Sequence, residues 1–131
     1  LVQIANALAL AGAGAFTALA AQLMQDCSEA SVWVVYTQGA AGGTPTIRIA
    51  WNGMDNNAPT QAAIDLIGTV ITGGLTLAAE EWVLANPGTS PYGRVLPLRV
   101  PAGAQALVVS VAESGVVGTP GTVSIWVGAR A

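Results

Sequence analysis

No histidine and no lysine occur in this 131-residue chain, and there is a single cysteine, Cys27. Without histidine there is no Ser-His-Asp or Cys-His nucleophilic arrangement and no histidine-containing zinc site. One cysteine allows neither an internal disulfide nor a cysteine-rich metal cage. Without lysine there is no Schiff-base amine, and no P-loop or GxGxxG pattern is present. No cofactor is expected, and the chain reads as a non-enzyme.

Charge is the other scarcity. Charged residues make up 8% of the sequence and hydrophobic ones 53%, where an ordinary globular chain carries about 25% charged residues. The four basic residues are all arginines, Arg48, Arg94, Arg99 and Arg130, and the net charge is -3. That balance offers no footprint for nucleic acid. A free monomer usually stays soluble behind a charged surface. A surface this poor in charge suits a chain whose neighbours cover part of it, because interface cores are depleted in charge.

Residues 1–25 contain no charge, a length that raises the question of a membrane span. No Lys or Arg flanks the run, it is interrupted by Gln3, Asn6, Gly12, Gly14, Thr17 and Gln22, and its bulk is mostly alanine. Membrane insertion is therefore not expected. Two glycines near residues 11–14 divide it into two apolar stretches, read as an N-terminal strand pair or assembly arm. A helix over residues 16–24 is the alternative, since Ala and Leu favour one.

The remainder reads as short strands divided by Gly- and Pro-rich turns. Residues 31–38 (SVWVVYTQ) and 46–52 (TIRIAWN) look like a hairpin around a glycine-rich tip. Residues 60–67 fit a strand or a short helix. Residues 75–84 change apolar parity near Glu80 and Glu81, which suggests a bulge or bend. In residues 92–100, Pro97 cannot donate to a ladder and points to an edge or an interruption. Residues 104–113 place Leu107, Val109 and Val111 on one face. Residues 122–130 place Val123, Ile125 and Val127 on one face and Ser124 and Trp126 on the other. The expectation is one all-β domain over residues 1–131, an antiparallel sandwich or jelly roll of about seven to nine strands.

Possible chemistry is thin. Adjacent Glu80 and Glu81 point to opposite faces of a strand and cannot easily share a site. Asp55-Asn56-Asn57 offers oxygen atoms but one carboxylate, too few for a calcium cage, and reads as a turn. The candidates for an interface are Trp33, Trp51, Trp82 and Trp126, because aromatics are enriched in cores and interfaces, with Arg99 and Arg130 as bidentate partners for acids on a neighbour. A sugar-stacking platform is the competing use of the tryptophans.

Residues 96–130 (LPLRVPAGAQALVVSVAESGVVGTPGTVSIWVGAR) combine a proline-bearing strand and turn, a hydrophobic strand, a Gly/Pro loop and a closing G-T-V-x-I strand. This cadence resembles the closing strands of jelly-roll sandwich domains in tailed-phage virion proteins, including capsid decoration (cement) proteins. The resemblance covers about a quarter of the chain. It implies a structural protein on the capsid exterior, a homo-oligomer, commonly a trimer, that contacts the major capsid protein. Tail or fibre domains and carbohydrate-binding sandwiches share the cadence and are the alternative.

Overall fold

Alternation decides which way each strand faces. Along Glu29–Thr37, Ala30, Val32, Val34 and Tyr36 are buried, while the residues between them reach the surface or its margin. Thr122–Arg130 repeats this with Val123, Ile125 and Val127 buried. Branched and aromatic side chains at every second position make a strand with one core face.

A computed structural model describes residues 1–11, 14–24, 26–39, 43–53, 70–71, 75–76, 80–85, 87, 89–101, 104–115 and 119–131, with backbone alone at 52, 53, 70, 71, 75, 76, 80 and 105. The strands are β1 (Val2–Ala9), β2 (Thr17–Ala18), β3 (Gln22–Leu23), β4 (Glu29–Thr37), β5 (Thr44–Gly53), β6 (Val70–Ile71), β7 (Leu75–Thr76), β8 (Glu80–Val83), β9 (Tyr92–Arg99), β10 (Ala104–Ser114) and β11 (Thr122–Arg130). The first sheet runs β1-β11-β4-β9. In the second, β2 and β3 lie beside β10, followed by β5 and β8. All of these pairings are antiparallel.

β2 and β3 pair with successive stretches of β10 and act as one broken strand. With them counted as one, the path visits the first sheet, the second, the first, the second twice, the first, the second and the first again. That order, with the chain's ends side by side in one sheet, is the jelly roll. The sandwich core lies between the sheets and is centred on Val34, Tyr36, Ile47, Ile49, Val109 and Ile125. Among the described residues, β6 and β7 pair only with each other. Among the described residues no helix is long and apolar enough to cross a membrane.

Three sequence expectations change. Residues 16–24 are not helical: Thr17, Ala18, Gln22 and Leu23 pair with β10, and the Gly14 and Leu19 amides donate to the Glu113 and Val109 carbonyls at 2.9 Å each. Closing the exposed edge of β10 satisfies backbone groups that the modest helix preference of alanine cannot outweigh. β4 and β5 do not form a hairpin, because they lie in different sheets. Alternation specifies a core face, and a strand across the core satisfies it as well as a strand alongside. The run over residues 75–84 is split: β7 pairs with β6, and β8 with β5. The expected helix or strand at residues 60–67 lies outside the described residues.

Pro97 sits on β9, which among the described residues pairs with β4 alone and is an edge strand. β1, at the opposite edge, has two register shifts and a positive φ at Ala7, whose amide donates to Ser124 Oγ at 2.9 Å. Bulges of this kind blunt an edge against further pairing.

Candidate functional site

The outer face of the first sheet is assembled by register. Gln3, Trp126, Trp33 and Val95 lie directly opposite one another across β1, β11, β4 and β9. One row along, Ser124, Val35 and Gly93 are aligned, and on the other side Gly128, Ser31 and Pro97. Opposed residues share a face, so β4 presents Trp33 and Val35 outward beside Val95 of β9. Trp33 is 43% exposed, Val35 38% and Val95 46%, which is a contiguous apolar patch rather than a scatter of single side chains. Trp33 Nε1 donates to Ser31 Oγ at 3.1 Å, which orients the indole on the sheet.

Trp33 is a ridge between two shallow grooves. One, of about 600 Å³, is walled by Leu1, Val35, Gly93, Val95 and Trp126. The other, of about 630 Å³, is walled by Ser31, Pro97, Arg99, Gly128 and Arg130. The glycines matter because they remove side chains from the rows that flank Trp33.

Two arginines and a glutamate meet at one end of this face, where Arg130, Glu29 and Arg99 oppose one another, and Arg94 lines the groove on the other side of Trp33. Arg130 forms an ion pair with Glu29. Arg99 has no side-chain partner among the described residues, so that end carries one uncompensated guanidinium.

Of the candidate interface residues, the structure therefore gathers Trp33, Trp126, Arg99 and Arg130 on one face. Trp51 and Trp82 are elsewhere. Trp51 packs against the core from β5. Trp82 lies opposite Ile47, hence on the core side of β8, and is 37% exposed at the sheet edge. Four tryptophans do not share one platform. On the outer face of the second sheet, Arg48 pairs with Glu81 at 2.6 Å and stacks over Phe16. Asp55, Asn56 and Asn57 lie outside the described residues, as does the Glu80 side chain.

Sequence reading passed over Val35 and Val95. A signal was present: SVWVVYTQ is apolar on both parities, as expected of a strand with both faces to cover.

It also passed over Glu113, which is 1% exposed at the end of β10. The Tyr36 hydroxyl donates to Glu113 Oε2, and the Gly121 amide donates to Oε1 at 3.0 Å and Oε2 at 3.1 Å. Tyr92 packs edge-on against Tyr36 and donates its hydroxyl to the Leu84 carbonyl at 2.9 Å. The cluster ties the ends of β4, β9, β10 and β11 together. No group of three metal-ligating side chains occurs among the described residues, and the Glu113 carboxyl is occupied by structural donors.

Burial, and then the hydrogen bond and charge of Glu113, push the Tyr36 phenol far above the ordinary tyrosine range. Burial also raises Tyr92, partly opposed by Arg94. Unfolded phenols ionise near about pH 10, so this contribution to stability is complete below that pH. It is lost as pH rises toward the folded values. An ultraviolet titration should show almost no phenolate from Tyr36 at about pH 10, ionisation of Tyr92 later than in an unfolded chain, and the Tyr36 phenolate appearing together with unfolding. Two phenols ionising independently near their ordinary value, in a chain that stays folded, would contradict this packing.

Comparison with protein-family models, with curated proteins and with solved structures finds no match to this chain.

Proposed function

We propose that this chain is a non-catalytic structural protein of a virion, of the capsid-decoration type, acting by contacts with the shell and with its own copies. The observation that carries the reading is the apolar outer face of the first sheet, with Trp33, Val35 and Val95 open to solvent in a chain with 8% charged residues. The jelly-roll strand order supports it by analogy only, since that architecture also serves lectins and enzymes. In this reading the protein sits on the capsid exterior and uses the sheet face to strengthen contacts between subunits.

The test is addition of the purified chain to undecorated phage shells. Saturable co-sedimentation and a higher shell melting temperature are expected. Shells that neither bind the chain nor gain heat resistance would remove the proposal.

The register of Trp33 beside Trp126 favours one second reading, a carbohydrate-binding module of a tail or fibre. Stacking on two neighbouring indoles would give glycan-dependent quenching of tryptophan fluorescence, and silence on a glycan array would remove this alternative.

A further inference from the structure

We propose that the N-terminal wall of the sandwich, residues 1–11 and 14–24, opens as one hinged unit while the rest of the fold stays closed, uncovering the edges of β10 and β11 together. The proposal goes beyond the assembly reading above and does not depend on it. One stretch of chain closes the same side of both sheets: β1 pairs with β11 in the first, and β2 and β3 pair with β10 in the second. With the wall taken away, β11-β4-β9 still faces β10-β5-β8. Among the described residues, the large side chains buried to below 2% exposure, Tyr36, Ile47, Ile49, Val109 and Ile125 included, all come from outside the wall.

The wall is held lightly. Its described residues give the buried core Ala5, Leu10 and Met24 alone, with Ile4, Leu8 and Leu19 half-buried against it. Val2 is 57% exposed and Leu23 74% even with the wall closed. Pairing with β11 shifts register between Gln3 and Ala5 and again between Ala5 and Leu8. Ala7 has φ of 47°, a region that residues other than glycine seldom occupy. β2 and β3 have two residues each. The Phe16 ring reaches past β10 to lie 3.6 Å from the Arg48 guanidinium on β5. Segments with few buried apolar side chains and exposed backbone hydrogen bonds open at less cost than global unfolding.

The two halves of the wall share one anchor. Leu10 follows β1 and precedes the residues that pair with β10; it is 4% exposed, and its amide donates to the Gly121 carbonyl at 3.0 Å. β1 itself buries only Ala5, and residues 14–23 bury no side chain completely. Neither half therefore has a core to hold it once Leu10 leaves. At the far end of the wall Met24 is buried, the Cys27 amide donates to its carbonyl at 3.1 Å, and Asp26 has φ of 63°. The Ser28 amide donates to the Arg130 carbonyl at 2.9 Å and the Ser28 carbonyl accepts from the Val100 amide at 3.0 Å. Ser28 is thus fixed to the body of the fold, which places the hinge between Met24 and Ser28. Closed, the wall covers the backbone groups along two apolar strand edges; open, it leaves both edges unpaired, the state in which a strand edge can template further pairing.

Hydrogen exchange of the full chain, read by mass spectrometry under conditions where it reports opening equilibria, tests this. Amides of residues 2–9 and 17–23 should exchange ahead of those in β4 and β5. Leu10→Ala removes a side chain that is buried only while the wall is closed. It should speed exchange in both halves of the wall by one common factor, at least about tenfold. Leu96, 3% exposed on β9, lies at the opposite edge of the first sheet. Leu96→Ala weakens the closed and wall-open forms alike, so it should speed exchange in β4 and β5 and leave the wall unchanged; Leu96→Val takes its place if that chain fails to fold. A Leu96 variant that speeds the wall as much as β4 and β5 overturns the proposal, because the wall would then open only with the whole molecule. Leu10→Ala that speeds one half alone overturns it as well, because the halves would then open separately. Neither outcome bears on shell binding, so the proposed function is tested apart from this one.

Discussion

Glu113→Ala is expected to lower the stability of the folded chain by about 2–6 kcal/mol, at about 1–3 kcal/mol for each buried donor left without an acceptor. Two donors lose their acceptor at once, the Tyr36 hydroxyl and the Gly121 amide. Tyr36 is fully buried and Glu113 nearly so, so bulk water does not replace the lost carboxyl. Domains of this size are stable by about 5–15 kcal/mol in total, so the loss is a large fraction of what holds the fold. Glu113→Gln has a different outcome. The amide oxygen can accept from Gly121, and the Tyr36 hydroxyl can turn to accept from the new NH₂ group. The cost should then fall below about 1.5 kcal/mol, the size of one ordinary hydrogen bond. Urea titration of the three proteins gives the comparison. Equal losses for Ala and Gln would mean that the carboxyl's charge, not its acceptor geometry, holds this corner.

Gly121→Ala should be destabilising by about 3 kcal/mol, at the upper end of what forcing extra atoms into a packed site costs. A Cβ at position 121 would lie 2.6 Å from the Thr37 carbonyl oxygen and from the Tyr36 ring, and 2.7 Å from Glu113 Oε2. The carbonyl belongs to β4 and cannot swing aside as a flexible side chain would. Moving it also disturbs the Gly121 amide bond to Glu113. The informative contrast is Gly14→Ala. Gly14 has φ of 75° and no atom within 4 Å of a Cβ, so only the left-handed backbone conformation is penalised, at about 1 kcal/mol. A steep loss at Gly121 and a mild one at Gly14, compared by thermal unfolding, would separate packing from backbone strain. Equal effects would mean that the Gly121 corner relaxes freely.

These corners also show what could be read from the residues alone. The strands of the C-terminal third were legible, because Val123, Ile125 and Val127 must face one way and Pro97 marks an edge or an interruption. The sandwich class followed from that alternation. The partner of each strand did not. The side chains of β4 and β5 need a buried face, and a neighbour across the core provides one as readily as a neighbour in the same sheet. The choice between strand and helix over residues 16–24 was not legible for a related reason: local alanine preference is weak, and the open edge of β10 that recruits them as strand lies some 90 residues later in the sequence. Glu113 continues the inward parity of Leu107, Val109 and Val111, so its position was readable. That it would be satisfied there was not, since its donors come from β4 and from the turn before β11. On the surface, Trp33 and Trp126 were visible as aromatics on strands. Only register places them opposite each other, and only the fold places Trp51 and Trp82 away from them.

If the outer face of the first sheet is an assembly surface, electron cryomicroscopy of shells incubated with the chain will show what covers it. The predicted image has a protein neighbour covering Trp33, Val35 and Val95, with the indoles of Trp33 and Trp126 buried in the contact. Bound chains that leave this face open to solvent and meet their neighbours through the second sheet would contradict it.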